Sequence, residues 1–396
     1  MGDQVIGQMS PRAKARPRHQ KTASRAADGP LRVLIVAPSL DILGGQAVQA
    51  ARLVRQLGQE PRLAISFLPI NPRLPGLFGK LQTIKYVRTI VTSVYYIAAL
   101  LLKVGKYDVI HIFSAAYLSF VISQTPAILI AKLLRKKIIL NYRSGEAEDH
   151  LRRWPSAVST MRLVDLIVAP SGYLVDVFER FGFRVRSIPN MVDTNRFRYR
   201  ERRPFHPVFL SNRNLEPMYN VGCILRAFAL IQQRFPDARL TVAGDGSQRA
   251  MLERVARDLG LRNVQFAGRV ANEKMTELCD EADVYLNSSN IDNMPGSIIE
   301  AFASGLPVVT TNAGGIPYIV TNEETGLIVR LDDDEALASA AIRLIEDQDL
   351  AAMIAARAHE ECKQYGLDSV RGKWIKLYHE MAGRRLPERK EQKVAA

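Results

Sequence analysis

The chain has 396 residues, 47% hydrophobic and 24% charged, with a net charge of +14 at pH 7. That length suits two domains of ordinary size, and the apolar content is ample for two cores of a soluble α/β protein. Its three cysteines, Cys223, Cys279 and Cys362, are odd in number and lack metal-ligand spacing, which excludes a disulfide or cysteine-metal framework and reads as reduced, buried thiols of a cytoplasmic protein. The charge is uneven: residues 1–30 carry +4, 26 basic against 11 acidic residues give +15 over 31–205, and 206–396 carry −5. A basic half beside an acidic one points to an anionic surface or substrate. No nucleic-acid motif or basic–aromatic stripe accompanies the charge, so an anionic lipid surface is favoured over nucleic acid.

Residues 1–30 are basic and small-polar without an apolar core, which reads as a disordered tail rather than a cleavable signal. LRVLIVAPS, from Leu31, is an unbroken apolar run and predicts a buried parallel strand. Behind the pair Gly44 and Gly45, the residues Ala47, Val48, Ala51, Val54 and Leu57 recur at helical spacing. Glycines between strand and helix are either tight-turn residues or the place where a diphosphate meets free amides at the positive helix end. PRLAISFLPI is the next strand. The apolar run from Val91 to Leu102, flanked by Lys85, Arg88 and Lys103, is too short and interrupted to span a bilayer. It reads either as a crossover helix buried against the sheet or as an interfacial helix with basic flanks.

DVIHIFSAAY predicts a strand with His111 near its carboxyl end, followed by a helix from Ser119 to Leu134 and the strand KIILNYRSG. His111 is either a satisfied structural residue or a group that relays a proton or bonds a sugar hydroxyl. LVDLIVAPSGYLVDVFERFG is a further strand, turn and helix, and the first domain should end between Arg200 and His206, where charges and prolines break all periodicity. The second half repeats the alternation. Its opening strand ends at Ser211 and is followed by a loop holding Arg213; LTVAGDGS and NVQFAGRV are strand–turn units.

The most informative stretch runs from Ser288 to Gly315. It reads as a loop, a short helix opened by Pro295, Gly296 and Ser297, a stop at Gly305, and the buried strand LPVVTT. Asp292 in the loop and Glu300 on the helix can both face the crevice at the carboxyl end of a parallel sheet, where two acceptors suit the hydroxyls of a sugar and a ribose. Two solvated acids on an ordinary βαβ turn are the plain alternative.

This stretch resembles that of the family 4 retaining glycosyltransferases, which place two acids with seven residues between them before a GxPVV strand. Asp292 stands where most members have Glu, and Glu300 matches. The resemblance implies two Rossmann-like doubly wound parallel-sheet α/β domains facing across a cleft, the glycosyltransferase B-type fold. Residues 31–203 would bind acceptor and 204–365 the nucleotide-sugar donor; 366–383 would be a helix crossing back, and 384–396 a charged tail. It implies donor contacts from Gly45, Arg213, Asp292, Met294, Pro295, Gly296, Ser297 and Glu300, with Arg269 and Val270 meeting the base. Gly44, His111 and Arg143 would serve the acceptor. Arg143 replaces a common histidine, and as a fixed cation it points to an anionic group. The family's diphosphate-binding Lys falls on Met218, with Arg249 one candidate substitute.

The implied reaction moves a sugar from a nucleotide-diphosphate donor to a hydroxyl of a carbohydrate or lipid-linked acceptor, with retention and without metal or other cofactor. The leaving phosphate would assist the incoming hydroxyl while Arg213 and the amides near Gly296 stabilise charge, Asp292 and Glu300 orient, and His111 assists. The enzyme is expected to be cytoplasmic, with peripheral contact on the inner face of a membrane. Two other readings stand beside it: a nucleotide-sugar epimerase on the same scaffold, and a catalytically silent binding or membrane scaffold subunit.

Overall fold

A computed structural model describes residues 29–41, 45–74, 82, 84 and 87–385. The expectations for Gly44, for Lys85 and for most of the two terminal tails lie outside these residues. Strands β1 (Leu31–Ala37), β2 (Leu63–Pro69), β3 (Val109–Ser114), β4 (Lys137–Tyr142), β5 (Leu166–Ala169) and β6 (Val185–Ser187) pair in parallel in the order β2-β1-β3-β4-β5-β6. A second sheet joins β7 (Val208–Ser211), β8 (Arg239–Ala243), β9 (Val264–Gly268), β10 (Val284–Asn287), β11 (Val308–Thr311) and β12 (Leu327–Val329), again in parallel, in the order β12-β11-β10-β7-β8-β9. Helices cover both faces, so the central strands must be apolar along their whole length; every residue of β3, β10 and β11 is buried.

The first helix, Gly45–Leu57, buries Ala47, Ala50, Leu53 and Leu57, while Val48 is exposed. The buried stripe is thus rotated from the one read off the sequence. The helix expected from Ser119 begins at Tyr117, passes through a π-turn over Phe120–Gln124 and becomes regular over Thr125–Leu133. Cys223, Cys279 and Cys362 are buried and unpaired. The closing helix, Leu367–Met381, lays Trp374 and Tyr378 into a core shared with Val33 and Ile35 of β1 and Val109 of β3.

The crossover helix Val87–Lys103 departs from expectation. It does link β2 to β3, but it buries only Tyr96 and Leu100, leaving Ile90, Val94, Leu101 and Leu102 between 58% and 73% exposed. Its neighbour Thr125–Leu133 likewise leaves Leu129 and Leu133 exposed. The reading of a helix buried against the sheet is corrected: one edge touches the core and an apolar face remains open. With the turn that follows, the segment Val87–Lys106 has 20 residues and a mean hydropathy of 1.5, long and apolar enough by composition to cross a membrane, and only 17% of its most apolar 18-residue window is buried here, unlike a core helix.

Candidate active site

The strand order reverses between β1 and β3 in one sheet and between β7 and β10 in the other, and ligands of open α/β sheets bind beyond the carboxyl ends of strands at such points. Loops leaving β1, β4, β7 and β10 converge there on a cavity of about 430 Å³, whose lining includes Gly45, Arg52, Arg143, Arg213, Asp292 and Glu300. Met218, Met294, Pro295 and Gly296 complete the side formed by the second sheet.

Arg213 is the centre of that side. Its guanidinium pairs with Asp292, Nη1 donates to Ser297 Oγ at 3.1 Å, and the group lies 4.1 Å from the Tyr219 ring centroid. The side chains are only 11% and 10% exposed, so the pair is screened far less than a surface ion pair. Asp292 is held in place by its backbone surroundings: its Oδ1 accepts from Asn293 N at 2.8 Å, and its carbonyl lies against Gly314, at φ +46°, where a Cβ would overlap the oxygen. Gly244 plays the same part beneath Arg213, at φ +147°, where a Cβ would overlap the Arg213 carbonyl oxygen. These two contacts account for glycines in the AGDG and NAGG turns.

Ser297 and Glu300 ride on one helix, Gly296–Ala303, with Pro295 as its cap and Gly296 giving the first free amide. Glu300 Oε2 accepts from Asn212 Nδ2 at 3.5 Å, and Asn212 is itself fixed by the Tyr285 hydroxyl at 2.6 Å. Burial raises the Glu300 pKa, and Arg52 and Arg196 oppose the rise. Arg52, whose own pKa burial lowers, donates to the Met191 carbonyl at 2.9 Å. Arg52 is absent from the expected site residues, yet a signal existed: Gly45, Gln49 and Arg52 share a helix face at spacings of four and three.

Arg143 leaves β4 into the same cavity. Nη1 donates to Asn141 Oδ1 at 3.1 Å, the guanidinium lies 5.4 Å from the Phe113 ring, and Nη2 is buried with no hydrogen-bond partner. Burial pushes its pKa down to about 9. His111 goes elsewhere. It is fully buried, its Nδ1 is 2.7 Å from the Tyr378 hydroxyl, its Nε2 is 3.0 Å from Asn141 Nδ2, and its ring stacks on Trp374 at 4.5 Å. Burial, with Arg143 adding to it, pushes its pKa down to about 3, so the ring stays neutral. Both nitrogens are engaged inside the core, and the expectation that His111 meets acceptor or proton is corrected: it props Asn141, which holds Arg143. Arg249 is engaged with Glu253 at 2.9 Å and does not line the cavity, nor do Arg269 and Val270 at the end of edge strand β9. Met294 closes the lobes on each other, accepting from Asn190 Nδ2 at its carbonyl at 2.9 Å. Among the described residues no cluster of three or more His, Cys, Asp or Glu is arranged to hold a metal ion.

Residues 195–361 match the family described as glycosyl transferases group 1, and residues 43–196 match glycosyltransferase family 4. The chain is 26% identical over 264 residues to the lipopolysaccharide core biosynthesis glycosyltransferase LpsE of Rhizobium meliloti, covering 64% of this chain and 76% of that protein. It is 26% identical to the phosphatidyl-myo-inositol mannosyltransferase of Mycolicibacterium smegmatis over 52% of this chain and 54% of that one, so it spans only about half of that relative. The fold is shared with Anabaena HepE, solved in complex with UDP, at a TM-score of 0.71 and 18% identity over 88% of this chain and 100% of that one.

Proposed function

The chain belongs to the family 4, group 1 glycosyltransferases, and from that premise we propose that its cavity holds a nucleoside-diphosphate sugar and transfers the sugar to an acceptor hydroxyl with retention. The observation that carries this is the helix Gly296–Ala303, which offers its free amide end and Glu300 to one cavity while Arg213 bridges Ser297 and Asp292 beside it. A phosphate suits the amides and the guanidinium, and a ribose hydroxyl suits the Glu300 carboxylate.

Met218 in place of a cation leaves a deficit that the cavity makes good from its other side. Arg52 and Arg143 line it opposite Arg213, giving three guanidinium groups against the two carboxylates Asp292 and Glu300. Arg143, with a buried and unpartnered Nη2, is the best placed to take a diphosphate oxygen. In the transfer the bond from anomeric carbon to phosphate oxygen breaks, the acceptor oxygen bonds that carbon on the same face, and its proton passes to the departing phosphate. The arginines stabilise the charge gathered on that phosphate, which supplies the role a metal plays in other transferases.

Calorimetric titration with UDP, GDP and ADP tests this reading. One of them should bind, and Arg143→Ala should weaken it about tenfold or more, since a charge-assisted hydrogen bond contributes roughly 1.5–3 kcal/mol. Arg143 has no carboxylate partner among the described residues, so its removal strands no acid. No binding by any of the three would favour the silent scaffold.

A second property of the chain concerns where it works. Arg88, Lys103, Lys106, Lys132, Arg135 and Lys136 stand at or just beyond the ends of Val87–Lys103 and Thr125–Leu133, whose apolar face is open. Exposed apolar side chains on helices with cations at their ends suit the interface of an anionic membrane, where a lipid-linked acceptor would be found.

A further inference from the structure

Asn141, His111 and Tyr378 stand in line behind Arg143. Arg143 Nη1 lies 3.1 Å from Asn141 Oδ1, Asn141 Nδ2 lies 3.0 Å from His111 Nε2, and His111 Nδ1 lies 2.7 Å from the Tyr378 hydroxyl. Strand register supplies the first part of that line. His111 pairs with Ile139 and Phe113 with Asn141, and alternate residues of a strand share a face, so His111, Phe113, Asn141 and, just past the end of β4, Arg143 gather on one side of the sheet. The closing helix Leu367–Met381 covers that side with Trp374 and Tyr378, which are four residues apart and so share a helix face. The His111 ring stacks on Trp374 at 4.5 Å and on Phe113 at 5.1 Å, which fixes its plane.

The direction of every bond in the line follows from the Arg143 end. A guanidinium only donates, so Asn141 must turn its oxygen to Arg143 and its NH2 group to the histidine. His111 Nε2 must then accept, which leaves the ring proton on Nδ1, where the Tyr378 oxygen accepts it. A proton on Nε2 would face the Asn141 NH2 group. The amide would have to turn, and its NH2 would then meet the guanidinium, donor against donor. Burial favours the neutral form of both end groups of the relay: it pushes His111 down to about 3 and holds the Tyr378 hydroxyl protonated.

We propose that Tyr378 is a positioning residue for the cavity: by accepting from Nδ1 it holds His111 in one tautomer, and through Asn141 it aims the Arg143 guanidinium so that Nη2 stays open to a diphosphate oxygen. The closing helix thus sets a cation of the first lobe from 267 positions along the chain. The proposal rests on the reading of Arg143 as a diphosphate ligand.

Two measurements test it. NMR of the histidine ring nitrogens, with His111 assigned by comparison with His111→Gln, should show a neutral ring protonated on Nδ1; a proton on Nε2, or on both nitrogens, overturns the relay. In Tyr378→Phe, which keeps the ring and removes only the acceptor, the Nε2–H form should appear. Calorimetric titration with UDP, GDP or ADP, whichever binds the wild type, should find Tyr378→Phe weakened roughly three- to tenfold, the range that one neutral hydrogen bond commands. A general loosening of the fold would weaken binding in any background, whereas a residue acting through Arg143 loses its effect once Arg143 is gone. Added to Arg143→Ala, Tyr378→Phe should therefore change affinity by less than about twofold. An undiminished effect in that background, or wild-type affinity in the single variant, overturns Tyr378 as the positioning residue. If none of the three nucleotides binds the wild type, the diphosphate reading fails, and the Tyr378→Phe spectrum alone decides the relay: appearance of the Nε2–H form supports it, and an unchanged Nδ1–H ring overturns it.

Discussion

Glu300 shows how burial turns a single carboxylate into a reporter of the site. Its pKa is raised above the usual 4.5 by burial, against the opposing charges of Arg52 and Arg196. In the proposed complex a ribose hydroxyl donates to the ionised form, so nucleotide binding should be favoured above the raised pKa and lost as pH falls through it. Nucleotide affinity should therefore begin to weaken on acidification at a higher pH than an ordinary glutamate would impose, and Glu300→Gln should flatten that slope while weakening binding throughout. A titration in which the Gln variant keeps the same slope would assign the pH dependence to another group. The pair of acids was legible because its spacing is local to one loop and one helix. The roles of His111 and Arg143 were not, because each depends on what the other strands bring: a histidine at a strand end looks alike whether it faces a cleft or the underside of Trp374.

The elements themselves were read from period and punctuation, and where they missed, packing chose between patterns that the residues permit equally. In Gly45–Leu57 the apolar residues populate more than one helical stripe, and the sheet selected Ala47, Ala50, Leu53 and Leu57. The connector between the lobes is fastened in a way no periodicity reveals. Arg202, buried in the second lobe, donates to the carbonyl oxygens of Cys279, Ala282, Arg200, Ser304 and Gly305 at 2.7–3.0 Å. Burial pushes its pKa down to about 10, yet it stays charged at neutral pH. Arg202→Ala would take one donor from each of these carbonyl groups, of which Ala282 and Ser304 keep a bond from Arg200, and would remove an ion pair to the buried Asp283, a loss of about 3 kcal/mol by the cost of breaking a buried charged network. Calorimetry should show the melting temperature falling by roughly 6–12 °C, the scaling for a lobe of this size. Nucleotide affinity of the folded variant should be unchanged, since Arg202 does not line the cavity; a melting temperature within 1–2 °C of wild type, on the order of 0.5 kcal/mol, would remove Arg202 as the anchor of the connector.

At the scale of the whole molecule, the basic half and the apolar face belong to the same lobe, and together they make a prediction. The chain should float with vesicles containing phosphatidylglycerol and much less with phosphatidylcholine alone, and the difference should shrink as salt rises. The double variant Leu101→Glu, Leu133→Glu places two charges on the open face, at residues 58% and 79% exposed, and should abolish flotation without altering nucleotide binding. Flotation that persists in this variant would move the contact to another surface.

What the sequence by itself determined is what neighbouring residues can specify: the strand–helix alternation, the apolar strands of two parallel sheets, the glycine turns, and the family resemblance carried by Asp292, Glu300 and the strand after them. What only the tertiary structure decided is which distant residues share a wall. His111 meets Tyr378 across 267 positions, and Arg52 reaches Met191 across 139. The meeting of Arg52 and Arg143 at one cavity and the uncovered face of Val87–Lys103 arise this way, because burial and charge balance are properties of the packed chain and leave no periodic trace along it.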